Sequence, residues 1–431
     1  MVRAGDVRLA LGAADDELGR EGYRLRVADA ITITGRRPAG AFYGTRTVLQ
    51  LLRQGERIPA GRARDWPRYP ERGLMVDVGR KYFTPRWIRD RIRELAYLKL
   101  NLLHLHLSDN QGFRIESDTH PEIVAEQHLS KRQVRRIVAL ARRHRITVVP
   151  EIDMPGHMQA ALAPHPELQL ESAIGTRAAS QLDVTNPEAL RFARDLIEEY
   201  LPLFPGPYWH TGADEYMPLA LYPQYPRLAE YAREQYGPGA NAFDAIHGFV
   251  NWVARLVADH GKTLRVWHDE LGGGSAVVLE PEIVVEWWTN FSPIGQPFPQ
   301  TPQELLDDGH RIINAGWFPT YYVSGLTSSV PPRPDMRRAY EEWEVNEFYG
   351  LLYYGDLSYP PETVAPGEPG NLGSKLHVWN DEPEAQTEDE IALGIRPRLR
   401  VLAQKTWSSP RLTETYADFL PIAEAVGDAP R

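Results

Sequence analysis

The 431-residue chain contains no cysteine. That excludes a thiol nucleophile, a disulfide scaffold and every cysteine-ligated zinc or iron–sulfur centre. It leaves the compartment open, because a large exported domain can also fold without disulfides. No run of about 18 apolar residues occurs, so no membrane-spanning helix is expected. The opening Met1-Val2-Arg3-Ala4-Gly5-Asp6 lacks the apolar core of a secretory signal. A processed precursor would look the same, so cytoplasmic and secreted locations both stay open. A surplus of positive charge is missing too: 48 Lys and Arg against 58 Asp and Glu give a net charge of −10. That argues against nucleic acid as a partner. Short-period repeats and low-complexity tracts are also absent.

What is present is an ordinary globular composition, with 42% hydrophobic and 25% charged residues. The length suits two or three average domains, or one large barrel with an accessory domain, and needs no metal to fold. Eleven tryptophans and twenty tyrosines are a rich supply. Flat aromatic faces suit ligands such as sugars, although large core fillers are the plainer use.

Residues 1–66 read as a small α+β accessory domain, with strand-like Tyr23–Val27 and Ile31–Thr34 and a helix over Ala41–Leu52. The turn-rich stretch Arg62–Pro70 is the expected linker. Residues 67–431 alternate short apolar runs with amphipathic segments. The runs are Leu74–Val78, Leu102–Leu107, Thr147–Pro150, Tyr208–Gly212, Leu264–Trp267, Ile283–Glu286, Ile312–Ala315 and Leu376–Trp379. Helices are expected from Thr84-Pro85, where an N-cap precedes proline, and from Ser130, where Gln133 completes a capping box. Others cover about Glu188–Leu203, Ala242–His260 and Thr301–Asp308. The expected fold class is α/β: a (β/α)8 TIM barrel behind a small N-terminal α+β domain, with a doubly wound open sheet as the alternative.

Barrel active sites sit at the C-terminal ends of the strands. Polar residues cluster there: Arg80 and Lys81, Ser108-Asp109-Asn110, Glu151 with Asp153 and His157, Asp214-Glu215, Trp267-His268-Asp269-Glu270, Trp287-Trp288, Tyr321-Tyr322 and Trp379-Asn380-Asp381. Carboxylates ringed by aromatics suit glycoside chemistry, where a leaving oxygen must be protonated and charge at C1 stabilised. Glu215 is the candidate acid; burial against tryptophan and the like charge of Asp214 would favour its protonated form. Neighbours on an extended strand point to opposite faces, so both acids can enter one site only if the chain bends, which Gly212-Ala213 permits. Neighbouring carboxylates do not suit the roles of acid and opposed nucleophile, so one of them must do something else.

The segments RGLMVDVGRKYF, LNLLHLHLSDNQGFRIE, VVPEIDMPGH, HTGADE and VWHDE occur in that order over about Arg72–Pro383. Together they resemble the retaining β-N-acetylhexosaminidases of glycoside hydrolase family 20. The resemblance implies substrate-assisted catalysis, in which the sugar's 2-acetamido oxygen attacks C1 and no protein nucleophile or cofactor is needed. It implies that Asp214 holds the acetamido N–H, that Glu215 is acid and then base, and that Arg80 grips the sugar's 3- and 4-hydroxyls. Trp267, Trp288 and Trp379 would wall the sugar, Trp288 being preferred over Trp287. A tyrosine of the Tyr321-Tyr322 pair, Tyr321 being preferred, would bond the acetamido oxygen. Asp109, Asp153 and His157 would support the acid, and Lys81 receives no role. The implied partners are β-N-acetylhexosaminide glycans or chito-oligosaccharides, with no nucleic acid or membrane.

Two positions depart from the common pattern. Val323 stands where many members carry a sugar-gripping aspartate, and Asp381 stands where many carry glutamate. Both resemble the branch holding lacto-N-biosidases and some streptococcal hexosaminidases. The choice among GlcNAc, GalNAc and modified sugars is therefore left open. A metal-dependent hydrolase is a competing reading, since His104-Leu105-His106 puts two imidazoles on one strand face. Core histidines facing the barrel interior are the better account. A sugar-binding protein without activity would be expected to lack one of the two acids, and both are present.

Overall fold

The computed structural model describes residues 3, 5–12, 15–55, 57–290, 300–325, 335–350, 360–407 and 411–430. Its centre is a closed ring of parallel strands: Glu71–Asp77, Leu102–His106, Thr147–Glu151, Tyr208–His210, Thr263–Trp267, Val284–Trp287, Arg311–Asn314 and Asn371–Trp379. Each pairs with the next, and the eighth pairs with both the seventh and the first. That closure rules out the open sheet.

The seventh position is divided. Arg311–Asn314 pairs with the lower half of the eighth strand, through Ile312↔Asn371 and Asn314↔Ser374. The upper half instead pairs with a separate strand, Tyr321–Val323, in which Tyr321 lies opposite His377. A short turn at Trp317–Thr320, with non-helical backbone at Phe318, makes the offset. Tyr321 and Tyr322 therefore do not extend the run Ile312–Ala315, as the alternation suggests, but open a strand of their own.

Helices fall where capping chemistry announces them. The Thr84 hydroxyl accepts the Trp87 N–H at the head of Pro85–Tyr97. Ser130 and Gln133 bond reciprocally at Lys131–Arg143. Pro187–Tyr200, Ala242–Ala258 and Pro302–Asp307 follow, each behind a capping Asn or Thr.

The N-terminal unit is a four-stranded sheet with Pro38–Arg53 as its helix. Two of its strands, Val7–Leu11 and Gly61–Asp65, are not among those expected from the sequence. Gly61–Asp65 pairs antiparallel with Tyr23–Val27, so the expected linker is in its first half a strand. The unit is tied to the barrel by Arg72–Glu21 at 2.7 Å, Lys99–Asp65 at 2.8 Å and a 2.6 Å bond from Trp407 Nε1 to Asp65.

The barrel interior holds a buried charged cluster beside a small aliphatic one of Val284, Ile313 and Leu372. His104 and His106 face inward and meet one carboxylate oxygen of Glu151 at 2.9 and 2.7 Å, while His210 meets the other at 3.1 Å. Lys375 lies 2.5 Å from both His104 Nδ1 and Glu286, and Arg265 bridges Glu286 to Glu71. The His104 nitrogens are thus turned to a carboxylate and an ammonium group, the latter a poor neighbour for a metal ion. Burial, reinforced by Lys375, drives the His104 pKa down to about 3. Removing one partner from such a buried set leaves an uncompensated charge, typically costing about 3–5 kcal/mol.

Candidate active site

The site is assembled where the strands end. The fourth strand stops at His210, and Gly212, Ala213 and Glu215 then take positive φ values of 71°, 66° and 43°. This left-handed run is uncommon for residues with a side chain. It breaks the alternation of the strand and brings Asp214 and Glu215 to one group: His157 Nε2 lies 3.7 Å from Asp214 Oδ2 and 3.5 Å from Glu215 Oε2. Gly212 has a second reason to be glycine. A Cβ there would fall on the Asp153 carboxylate, which packs directly beneath it.

His157 is itself held in a left-handed conformation, at φ 54°. Its Nδ1 lies 3.4 Å from Asp109 Oδ1, and the other oxygen of Asp109 receives His106 Nε2 at 2.8 Å and Arg80 Nη2 at 2.9 Å. Burial alone would raise the Asp109 pKa, but Arg80 and His157 outweigh it and hold this carboxyl well below its usual range. Burial disfavours a charged His157, yet Asp109 and Asp214 overcome it and raise the imidazole well above its usual value. Arg80 is fixed from its other side by Asp77 at 3.1 Å and lies 5.2 Å over the face of Trp379. The result is an alternating chain of charge, Arg80–Asp109–His157, ending at the two acids.

Three carboxyls in this region are pushed the other way. Burial, then the nearby charge of Asp214, raises Asp153 well above the ordinary aspartate value, and neither of its oxygens has a hydrogen-bond partner among the described residues. Burial first, with Glu215 adding repulsion, raises Asp214 to about 6. Asp269 is raised to about 8 by burial, then by Asp214 and Glu215. The side chain of Glu215 is about 30% exposed against 13% for Asp214, so the heavier burial falls on Asp214 rather than on the expected acid.

The aromatic wall is continuous. Tyr321 stacks on Trp288 at 6.4 Å and on Trp317 at 5.1 Å, and Trp379 stands 6.1 Å from Tyr321 and 5.7 Å from Trp267. Trp267 is fixed by a 2.8 Å bond from Nε1 to Glu151, and Trp288 by a 2.9 Å bond to Asp269. Trp287 turns away, against His268 and Phe348. Tyr322 also leaves the site, which corrects the expectation that it could serve in place of Tyr321 as a contact to the substrate. Successive strand residues point to opposite faces, and its ring lies under the Arg398 guanidinium with its hydroxyl 2.9 Å from Gln386. Val323 packs against the wall beside Trp317. Asp381 is exposed at the same rim, close enough for its charge to act on Arg80. Lys81 donates to the Pro383 carbonyl at 2.6 Å and so ties down the loop after the eighth strand.

Asp269 lies within the VWHDE motif, yet the motif alone gives it no part. Its two oxygens accept the Glu215 backbone N–H and the Trp288 indole N–H, both at 2.9 Å, so one carboxyl sets the position of an acid and of a wall. Asp77 is a second such residue. It accepts from Arg80 and from the Asn380 N–H at 3.0 Å, joining the first and eighth strand ends. Both stand at strand ends and inside the segments RGLMVDVGRKYF and VWHDE, which is the signal by which the sequence could have found them.

Comparison with known proteins agrees with this architecture. The model of the glycosyl hydrolase family 20 catalytic domain matches residues 69–410, and that of the family's domain 2 matches residues 2–66. A lacto-N-biosidase of Bifidobacterium bifidum is 33% identical over 98% of this chain, and a β-N-acetylhexosaminidase of Cellulomonas fimi is 30% identical over 94%. The chain spans 36% of the first relative's length and 77% of the second's, and 52% of a Porphyromonas gingivalis β-hexosaminidase. Among solved structures, the Streptomyces coelicolor GH20 β-N-acetylhexosaminidase superposes with a TM-score of 0.73 at 26% identity, covering 98% of this chain and 85% of that one. With the catalytic-domain model matching residues 69–410 and the closed barrel carrying its acids at the strand ends, the chain belongs to glycosyl hydrolase family 20.

Proposed function

We propose that the chain is a retaining exo-β-N-acetylhexosaminidase that removes terminal β-linked GlcNAc or GalNAc from glycans or chito-oligosaccharides by substrate-assisted catalysis. The observation that carries this reading is the convergence of Asp214 and Glu215 on the single imidazole of His157. Carboxylates from consecutive residues that meet one group approach a sugar from one side, whereas an acid and an enzymic nucleophile must flank it. The nucleophile is then the substrate's acetamido oxygen. Its bond to C1 forms as the C1–O bond to the leaving group breaks, giving an oxazolinium ion.

Glu215 donates the proton to the leaving oxygen, then takes one from the water that opens the ring. Asp214 accepts the acetamido N–H and stabilises the positive charge growing on it. Tyr321 donates its hydroxyl to the acetamido oxygen, and Trp267, Trp288 and Trp379 wall the sugar. Arg80 spends two of its five donors on Asp77 and Asp109 and offers the rest, with Asp381, to the 3- and 4-hydroxyls. Asp109, Asp153 and His157 support the acids from beneath, and Asp269 fixes the Glu215 backbone.

A lacto-N-biosidase or related altered specificity is the second reading. It is favoured by the Bifidobacterium bifidum relative and by Val323 beside the aromatic wall. A panel of nitrophenyl glycosides separates the two. Hydrolysis of β-GlcNAc with the β-glucoside left essentially intact is expected, because only the former carries its own nucleophile. Equal rates on both would remove the substrate-assisted reading. Cleavage of β-lacto-N-bioside with β-GlcNAc untouched would move the specificity to the second reading.

A further inference from the structure

The sequence His-Pro-Glu occurs twice, at 120–122 and at 165–167. The first copy lies between the second barrel strand and the helix Lys131–Arg143, the second between the third strand and Pro187–Tyr200. Each proline opens a short 3-10 turn, and the histidines before them share one backbone conformation, φ/ψ −134°/64° and −125°/59°. Proline keeps the preceding residue out of the helical region, so each histidine stands off its turn with its ring free to reach across. Phe192 lies beneath both rings, at 4.5 and 5.2 Å.

The two rings meet at one carboxylate oxygen. His165 Nε2 is 2.8 Å and His120 Nδ1 is 3.2 Å from Glu122 Oε1. The opposite nitrogen of each ring also faces an acid: His120 Nε2 lies 3.6 Å from Asp195, and His165 Nδ1 lies 3.4 Å from Glu167. Metal-bound histidines commonly turn their other nitrogen to a carboxylate, which fixes the ring and raises its basicity. Here both rings aim that nitrogen at an acid, at 3.6 and 3.4 Å, around one shared carboxylate. Zinc bonds of about 2.0–2.1 Å in a tetrahedron place ligand atoms roughly 3.3 Å apart. The two imidazoles stand 2.8 and 3.2 Å from the carboxylate oxygen, and the three ligand atoms all lie within 4.8 Å of one another.

We propose that His120 Nδ1, His165 Nε2 and Glu122 Oε1 bind a zinc ion, with Asp195 and Glu167 orienting the two imidazoles. Two imidazoles favour zinc over calcium or magnesium, which take oxygen ligands. Water completes the coordination. None of these residues belongs to the sugar site. The ion staples together the connections that carry Asp109 and His157, so its role is structural. Binding to the native state alone raises the unfolding temperature by mass action.

The test is calorimetric titration of the chelator-treated full chain with zinc chloride, alongside thermal unfolding with and without zinc. One equivalent is expected to bind and to raise the melting temperature. Glu122→Gln and His165→Gln both retain hydrogen-bonding capacity, so a merely hydrogen-bonded cluster would survive them. Each should nevertheless weaken zinc binding at least about tenfold, and Asp195→Asn by about tenfold, with melting without zinc little changed. No saturable binding up to millimolar zinc would overturn the proposal. So would identical isotherms for wild type and all three variants, which would assign the zinc to other histidines.

Discussion

Replacing Asp214 with asparagine is expected to lower kcat by about 10²–10³ or more, the loss that accompanies removal of one group stabilising charge in the transition state. The amide keeps the size of the side chain but cannot balance the positive charge that grows on the acetamido group. Burial makes the native carboxylate costly, so the variant should fold with stability near or above that of the parent. Turnover close to wild type would remove Asp214 from its orienting role. The same carboxyl sets an expected pH dependence. With its pKa raised to about 6 by burial and by Glu215, Asp214 is protonated as the pH falls through that value, and kcat/KM should fall with it. Because neighbouring acids titrate together, the limb belongs to the group rather than to one residue. The sign for stability is opposite. A carboxyl whose folded pKa lies above its unfolded one binds its proton more readily in the native state, so folding gains stability as the pH drops from about 6 toward 4. A pH–rate profile that stays flat down to about 4, where an ordinary aspartate titrates, would contradict the assignment.

Replacing Glu215 with glutamine should produce a loss that depends on the leaving group. General acid catalysis is worth about 10²–10⁴. That factor is lost in full on natural glycosides, whose alkoxide leaving groups must be protonated. Aryl glycosides with electron-poor phenols leave without help, and for them the first step should be slowed far less. The measurement is a comparison of kcat/KM between chitobiose and an activated nitrophenyl β-GlcNAc in the same variant. An equal loss on both would show that Glu215 is not the acid.

Much of the site is legible in the order of residues alone, because barrel strands announce their ends. An apolar run that stops at a polar cluster marks the active rim, and Arg80, Asp109, His157, Asp214 and Glu215 stand at such stops. The caps at Thr84 and Ser130 are equally legible, since hydrogen bonds three residues apart are local. The seventh strand is not. Its division depends on which half of the eighth strand each segment pairs with, and that pairing is long-range. The short strand Gly61–Asp65, polar and exposed along most of its length, offers no apolar alternation to detect.

The sequence by itself determined the alternating strand–helix order, the candidate acids at the strand ends and the supply of aromatic side chains. Those follow from local patterning and from residue type. The tertiary structure decided which neighbour of each pair enters the site: Trp288 rather than Trp287, and Tyr321 rather than Tyr322. On a strand the two choices differ only by a half-turn of the chain. The half-turn is set by register against other strands, which no local pattern records. It also decided that the Asp214 and Glu215 carboxylates converge on one imidazole. Three left-handed residues between positions 212 and 215 bring them to His157, and the packing around Gly212 and Asp153 holds that bend in place.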